Sequence, residues 1–206
     1  MKKFPAITQK EFEIFETLDT PQKIQDFLNT LPFNFEKKGD TNMSPLETLR
    51  AGTAHCMEGA MLACAILWYH GEKPLLLDLK TTNDDFDHVV TLFKKNGLWG
   101  ALSKTNHGVL RYRDPIYKNV RELVMSYFNE YFLNSNGTKT LRSYSKPFDI
   151  SRLSPDWLTS SKNLWNIVRL LEKSPHVQLL SPASIKNLRP AEAIEIEMGT
   201  ITEYKK

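Results

Sequence analysis

An α+β domain is the fold class this sequence predicts, and three observations predict it. Segments of helical period open the chain, three short apolar runs bounded by turn residues follow, and helical period then returns. No alternation of strand and helix calls for a parallel sheet. At 206 residues the chain has the length of one domain, since domains run to about 100–200 residues. The expected organisation is a single domain over 1–206, with N-terminal helices in 1–52 and a helical and strand extension over 141–206. A composition of 41% hydrophobic and 25% charged residues is that of a chain with a packed core.

The elements follow in order. Gln9 to Leu18 and Pro21 to Leu31 read as short amphipathic helices, the second with Thr20 as N-cap and Pro21 at its first position. Ser44-Pro45-Leu46-Glu47 combines a capping box with a proline start, and Gly52 can end that helix. From His55 to Tyr69 the residues are helix formers and apolar nearly all round, which predicts a buried helix stopped by Gly71. Leu75 to Leu79, Asp87 to Phe93 and Leu98 to Ser103 read as strands, the last two joined through Lys95-Asn96-Gly97. Lys118 to Phe132 and Trp157 to Leu171 have helical spacing, with Tyr127, Phe128, Tyr131 and Phe132 as core. Ala193 to Met198 alternates strictly and predicts a half-exposed strand.

The 27 basic and 24 acidic residues are interleaved, whereas a nucleic-acid surface needs clustered basic charge with aromatic residues between. Nucleic acid is therefore not an expected partner. The basic start MKK has no apolar stretch behind it, and AMLACAILWY falls short of the ~20 residues of a membrane span. A cytoplasmic protein with no membrane partner is expected. Cys56 and Cys64 stand eight residues apart on one predicted helix, about 12 Å along its axis, too far for a disulfide. With no CxxC spacing and only two cysteines, zinc-site patterns are absent.

Cys64 lies among apolar residues and reads as packing. Cys56 stands where its helix begins. Orphan N–H groups there favour a thiolate and can also hold a developing oxyanion. A nucleophilic thiol needs a base, and His88, at the head of the strand HVVTLF, can face the helix start. Cys56 in GTAHCMEGAMLACAIL, His88 in DHVVTLF and the hairpin exit Gly97-Leu98-Trp99 together resemble the transglutaminase-like cysteine superfamily. In that family the nucleophile opens a helix, the histidine lies on one strand and an aspartate on the next. The resemblance covers 51–103 and implies a papain-like core, an acyl-transfer or amide-hydrolysing activity through a thioester on Cys56, and no cofactor. It implies a peptide, an amidated side chain or a small acyl donor as substrate.

The family's spacing puts its aspartate four residues after Trp99, where this chain has Ser103. Ser103, Asn106 and Asp114 are the candidates to orient His88, ranked with Ser103 first by that spacing. If Asn96-Gly97 is a two-residue turn, Lys95 pairs with Leu98 and Ser103 shares the face of His88. A three-residue loop gives that face to Lys104 and Asn106. A catalytically degenerate binding module is the alternative that the missing carboxylate raises, and an arylamine acetyltransferase is a third.

His55, Trp99 and His107 are candidate substrate contacts, with capping or surface placement as the plain role of His55 and an exposed loop as that of His107. Glu58 reads as a surface charge that complements the helix dipole. Asp84, Asp85 and Asp87 lack the ligand spacing of a calcium loop and read as a solvated turn. Arg111 and Arg113 read as local ion partners of Asp114.

Overall fold

The computed structural model describes residues 3–205, and its first elements begin where their caps stand. Lys10–Thr17 is a 3₁₀ helix. Phe12, Phe15 and Leu18 are all buried, and a three-residue spacing of core positions suits three residues per turn. Helix α1 (Pro21–Thr30) follows, with Thr20 accepting the Lys23 N–H. Helix α2 (Pro45–Ala51) opens with Ser44 accepting the Glu47 N–H and closes on Gly52 at φ 63°. Only that half of the expected box forms, because the Glu47 carboxylate turns to Arg50 at 2.9 Å. Helix α3 (Cys56–Tyr69) is buried continuously from Met57 to Trp68, as its lack of a polar face requires.

Strands β1 (Leu75–Lys80), β2 (His88–Lys95), β3 (Leu98–Leu102) and β4 (Arg113–Tyr117) lead to helix α4 (Val120–Tyr127) and a 3₁₀ turn over Phe128–Glu130. Strands β5 (Ser143–Ser145) and β6 (Phe148–Asp149), helix α5 (Trp165–Glu172), strand β7 (His176–Gln178) and helices α6 (Pro182–Lys186) and α7 (Ala193–Gly199) complete the chain. The protein is α+β. Among the described residues seven strands form one sheet in the order β4-β3-β2-β1-β5-β7, with β6 also paired to β1, and every ladder is antiparallel. β5 and β7 thus bring part of the 141–206 segment into the same sheet.

The β2–β3 turn has two residues, with Asn96 at φ 53° and Gly97 at φ 79°, the left-handed pair that a twisted hairpin favours. Lys95 therefore pairs with Leu98 and Thr91 with Leu102. Alternation along the strands divides the core into two layers. Leu76, Phe93 and Leu102 pack with α3 on one face, while Leu77, Val90, Leu92 and Ala101 pack with Leu123, Val124 and Tyr127 of α4 on the other. Two stretches depart from the sequence expectation. Ala193 to Met198 is helical, because Glu192 and Glu195 form a reciprocal capping box and Ala, Glu and Met are better helix formers than isoleucine is a strand former without a partner strand. The Trp157 to Leu171 segment breaks into a 3₁₀ turn at Pro155–Leu158 and α5. Between them the Ser160 hydroxyl takes the Lys162 N–H, a local bond that competes with a helix, and Asn163 takes the N–H of distant Asn42.

Gly59 lets α3 approach the chain beyond β3. A Cβ there would overlap the Lys104 Cβ. Gly59→Ala is expected to destabilise the protein by about 1–3 kcal/mol through overpacking and to shift the Ser103-Lys104 backbone. A urea-unfolding midpoint equal to that of the wild type would contradict this contact.

Candidate functional site

The site grows from the head of α3. His55 is the N-cap, its Nδ1 accepting the Met57 N–H at 3.3 Å and its Nε2–H donating to the Thr41 carbonyl at 3.0 Å. Glu58 returns the other half of the box by accepting the His55 N–H at 3.1 Å. Its carboxylate also accepts from the Asn34 side chain, the Thr41 hydroxyl and the Met43 N–H. Glu58 is fully buried, so it is an internal clamp that ties the 34–43 loop over the helix start, and not the surface charge expected.

Cys56 is the first residue of the helix and is partly buried. Burial pushes its thiol up, but hydrogen bonding to His55 and to His88, reinforced by the charges of both rings, outweighs this and brings it down to about 5. For His55, burial works downward, yet the Cys56 thiolate, then Glu58 and the Thr41 carbonyl, lift the imidazole to about 9. Protonation of His55 turns Nδ1 from an acceptor of the Met57 N–H into a donor to the Cys56 sulfur, so the neutral ring caps the helix and the charged ring pairs with the thiolate. Cys64 is fully buried beside Thr91, and burial pushes its thiol well up, as a packing residue requires.

His88 opens β2 and is buried. Its Nε2 lies 2.8 Å from the Ser103 Oγ. The single hydroxyl proton of Ser103 goes to the Leu110 carbonyl, so the serine must accept from His88 Nε2–H. That fixes the tautomer and leaves Nδ1 as the basic nitrogen. Ser103 is itself held by Gln25 of α1, whose carboxamide accepts the Ser103 N–H at 2.9 Å and donates to its carbonyl at 2.8 Å. Leu110 sits at φ 60°, a costly conformation for leucine. It is held there from both sides, by Ser103 and by the Glu130 carboxylate, which accepts the Leu110 N–H at 2.6 Å and pairs with Arg113.

The remaining expectations divide. Asn106 is buried near the site, but its carboxamide pairs with the backbone N–H and carbonyl of Tyr204 and not with His88. Asp114 is exposed on β4 and orients nothing in the site. Arg113 binds Glu130 and Arg111 binds Glu203, so neither is the ion partner expected of Asp114. Trp99 lies under the Lys94 ammonium on the hairpin and does not line the cleft. His107 does line it, with Nδ1 donating to the Gly199 carbonyl at 3.2 Å. In the acidic turn, Asp87 binds Lys80 and the Thr81 N–H and Asp85 accepts from the Thr140 hydroxyl, so two of the three are structural.

Cys56, His55 and His88 open into a cavity of about 430 Å³, where the two layers meet at the end of the sheet. Lys104 and Tyr131 also line it. Lys104 is almost fully buried with its Nζ on the Leu31 carbonyl, and burial lowers its ammonium to about 8. Sequence reasoning missed Gln25, Glu130 and Tyr131, which arrive through long-range packing, and misread Glu58, whose loop partners are distant in sequence; Lys104 was placed on this face only under the other hairpin register. Among the described residues no cluster of three metal-ligating side chains occurs, and no helix is long and apolar enough to cross a membrane. The chain matches no protein-family model and no curated protein.

Proposed function

We propose that the protein is a cysteine-dependent acyl-transfer or amide-hydrolysing enzyme with a transglutaminase-like core, acting on a peptide, an amidated side chain or a small acyl donor. The observation that carries this reading is the continuous chain Cys56, His88, Ser103, with the thiol brought down to about 5 beside two imidazoles. The Cys56 thiolate attacks the acyl carbon, forming a C–S bond and an oxyanion. Collapse of that intermediate breaks the C–N bond, and the departing amine takes the proton that His88 Nδ1 received when the Cys56 thiol ionised. Water or a second amine then gives its proton to His88, attacks the thioester and releases the thiolate. His55, charged beside the sulfur and balanced by Glu58, holds the negative charge between turnovers. The Cys56 N–H, to which no described residue gives an acceptor, is the donor this reading assigns to the developing oxyanion.

The test is the pH dependence of Cys56 alkylation by iodoacetamide, located by peptide mass. The rate is expected to be half-maximal near pH 5, against about 8.5 for an ordinary cysteine, with Cys64 unlabelled in the folded protein as the internal control. A midpoint at 8 or above would sink the proposal. The second reading, a binding module that lost the reaction, is favoured by the serine where a carboxylate would touch His88. It predicts the same alkylation profile with no turnover of any acyl donor.

A further inference from the structure

The cavity at Cys56 is larger than chemistry at its sulfur requires. Its volume of about 430 Å³ lies within the range of small-molecule sites, about 300–1,000 Å³, and gives far more room than an acetyl group fills. The surface it presents is predominantly apolar. Phe33, Phe86, Val109 and Phe132 contribute to it, and none of them belongs to the chain that links Cys56 to Ser103.

Carboxylates also stand on this wall, and each is spoken for. Glu36 accepts the Thr41 N–H at 2.7 Å, Asp85 accepts the Phe86 N–H at 2.8 Å and the Thr140 hydroxyl, Asp87 binds Lys80 and the Thr81 N–H, and Glu130 binds Arg113 and the Leu110 N–H. Lys104 and the charged His55 are equally engaged, the first with the Leu31 carbonyl, the second with the Thr41 carbonyl and the Cys56 sulfur. An anionic chain therefore meets negative charge and cations already in use. Main-chain recognition is taken up as well. Gln25 occupies the N–H and carbonyl of Ser103, and the C-terminal segment takes the Asn106 carbonyl and the Gly108 N–H, the groups an extended peptide pairs with.

Phe86 is the exposed member of the apolar wall. At 90% exposed it stands at the opening, and its turn is tied down: the Thr81 hydroxyl donates to the Asp85 carbonyl at 3.1 Å and the Asp85 N–H to the Thr82 carbonyl at 3.1 Å. A ring held in water on a fixed turn gains when an apolar group covers it.

We infer that the site selects a small, non-peptide acyl donor whose acyl group is an uncharged aliphatic chain, and that Phe86 is a specificity-determining residue for that chain. This rests on the acyl-transfer reading above and narrows its substrate. The thioester ties the chain to Cys56 by its carbonyl carbon, which leaves the tail to lie against the apolar wall.

The test is the rate of Cys56 acylation by a series of p-nitrophenyl esters, each rate divided by that of N-acetylcysteine with the same ester. In every case the S–C bond forms, the C–O bond breaks and p-nitrophenolate leaves, so only the acyl group varies. Each methylene taken fully out of water is worth about fourfold, and hexanoate, longer than acetate by four, is expected to acylate at least about tenfold faster. The adipate monoester, of equal length with a terminal carboxylate, and a hexanoate ending in trimethylammonium are expected to fall back to the acetate rate or below. The N-acetyl-leucine ester, which sets an apolar side chain beside a peptide group, should trail hexanoate. In Phe86→Ala the hexanoate-to-acetate ratio is expected to fall about fivefold, and any loss of folded protein cancels in that ratio. A wild-type ratio near one, a charged ester or the leucine ester in front, or an unchanged ratio in Phe86→Ala would each overturn the assignment. Failure of the underlying reading has a different signature: no ester acylates wild-type Cys56 faster than it acylates N-acetylcysteine.

Discussion

His88→Ala is expected to trap the protein as an acetyl-enzyme. With p-nitrophenyl acetate at pH 8, His55 still supports a thiolate, so a stoichiometric release of p-nitrophenolate should persist. Hydrolysis of the thioester, however, needs a base for the attacking water, and Nδ1 of His88 is the nitrogen left free by the bond to Ser103. Removing a general base costs about 10²–10⁴-fold, and deacylation should slow by that factor. Intact-protein mass spectrometry would then show one added acetyl group that persists. The substitution also removes one of the two rings that lower the thiol, so the alkylation midpoint should rise from about 5. Unchanged steady-state turnover would remove His88 from the mechanism.

Glu58→Ala carries the largest expected loss of stability, about 3–5 kcal/mol, the usual cost of deleting one partner from a buried charged network. It would strip acceptors from the Asn34 side chain, the Thr41 hydroxyl and the Met43 and His55 N–H groups at once, around a carboxylate that is itself fully buried. Glu58→Gln should fall between, because a carboxamide presents two N–H donors where the loop presents donors of its own. Urea unfolding measures both, with the slope unchanged and the midpoint lowered. The same variants should raise the Cys56 thiol above about 5, since Glu58 supports the charge on His55. A Glu58→Ala midpoint within experimental scatter of the wild type would mean that the loop is held by other contacts.

Much of the scaffold was legible because its signals are local. Thr20-Pro21 and Ser44-Pro45 start helices where written, and the apolar girth of α3 predicts its burial. The hairpin required two alternatives, and Asn96-Gly97 with both φ angles positive resolves them in favour of Ser103. What was not legible depends on distant partners. Glu58 looks like any acid in a first helical turn until the 34–43 segment folds over it. Gln25 meets Ser103 across 78 residues. Tyr131 belongs to an aromatic stripe that packs as expected, yet it also lines the cavity. Ala193 to Met198 shows the opposite failure: a local alternation with no sheet edge to receive it.

Two carboxamides finish the work of strands beside the cleft. Gln25 grips the N–H and carbonyl of Ser103, and Asn106 does the same for Tyr204. A bare strand end next to an open cavity is a template on which a passing chain can add itself. Here side chains occupy the backbone N–H and carbonyl of Ser103 and of Tyr204, which withdraws those two residues from such pairing.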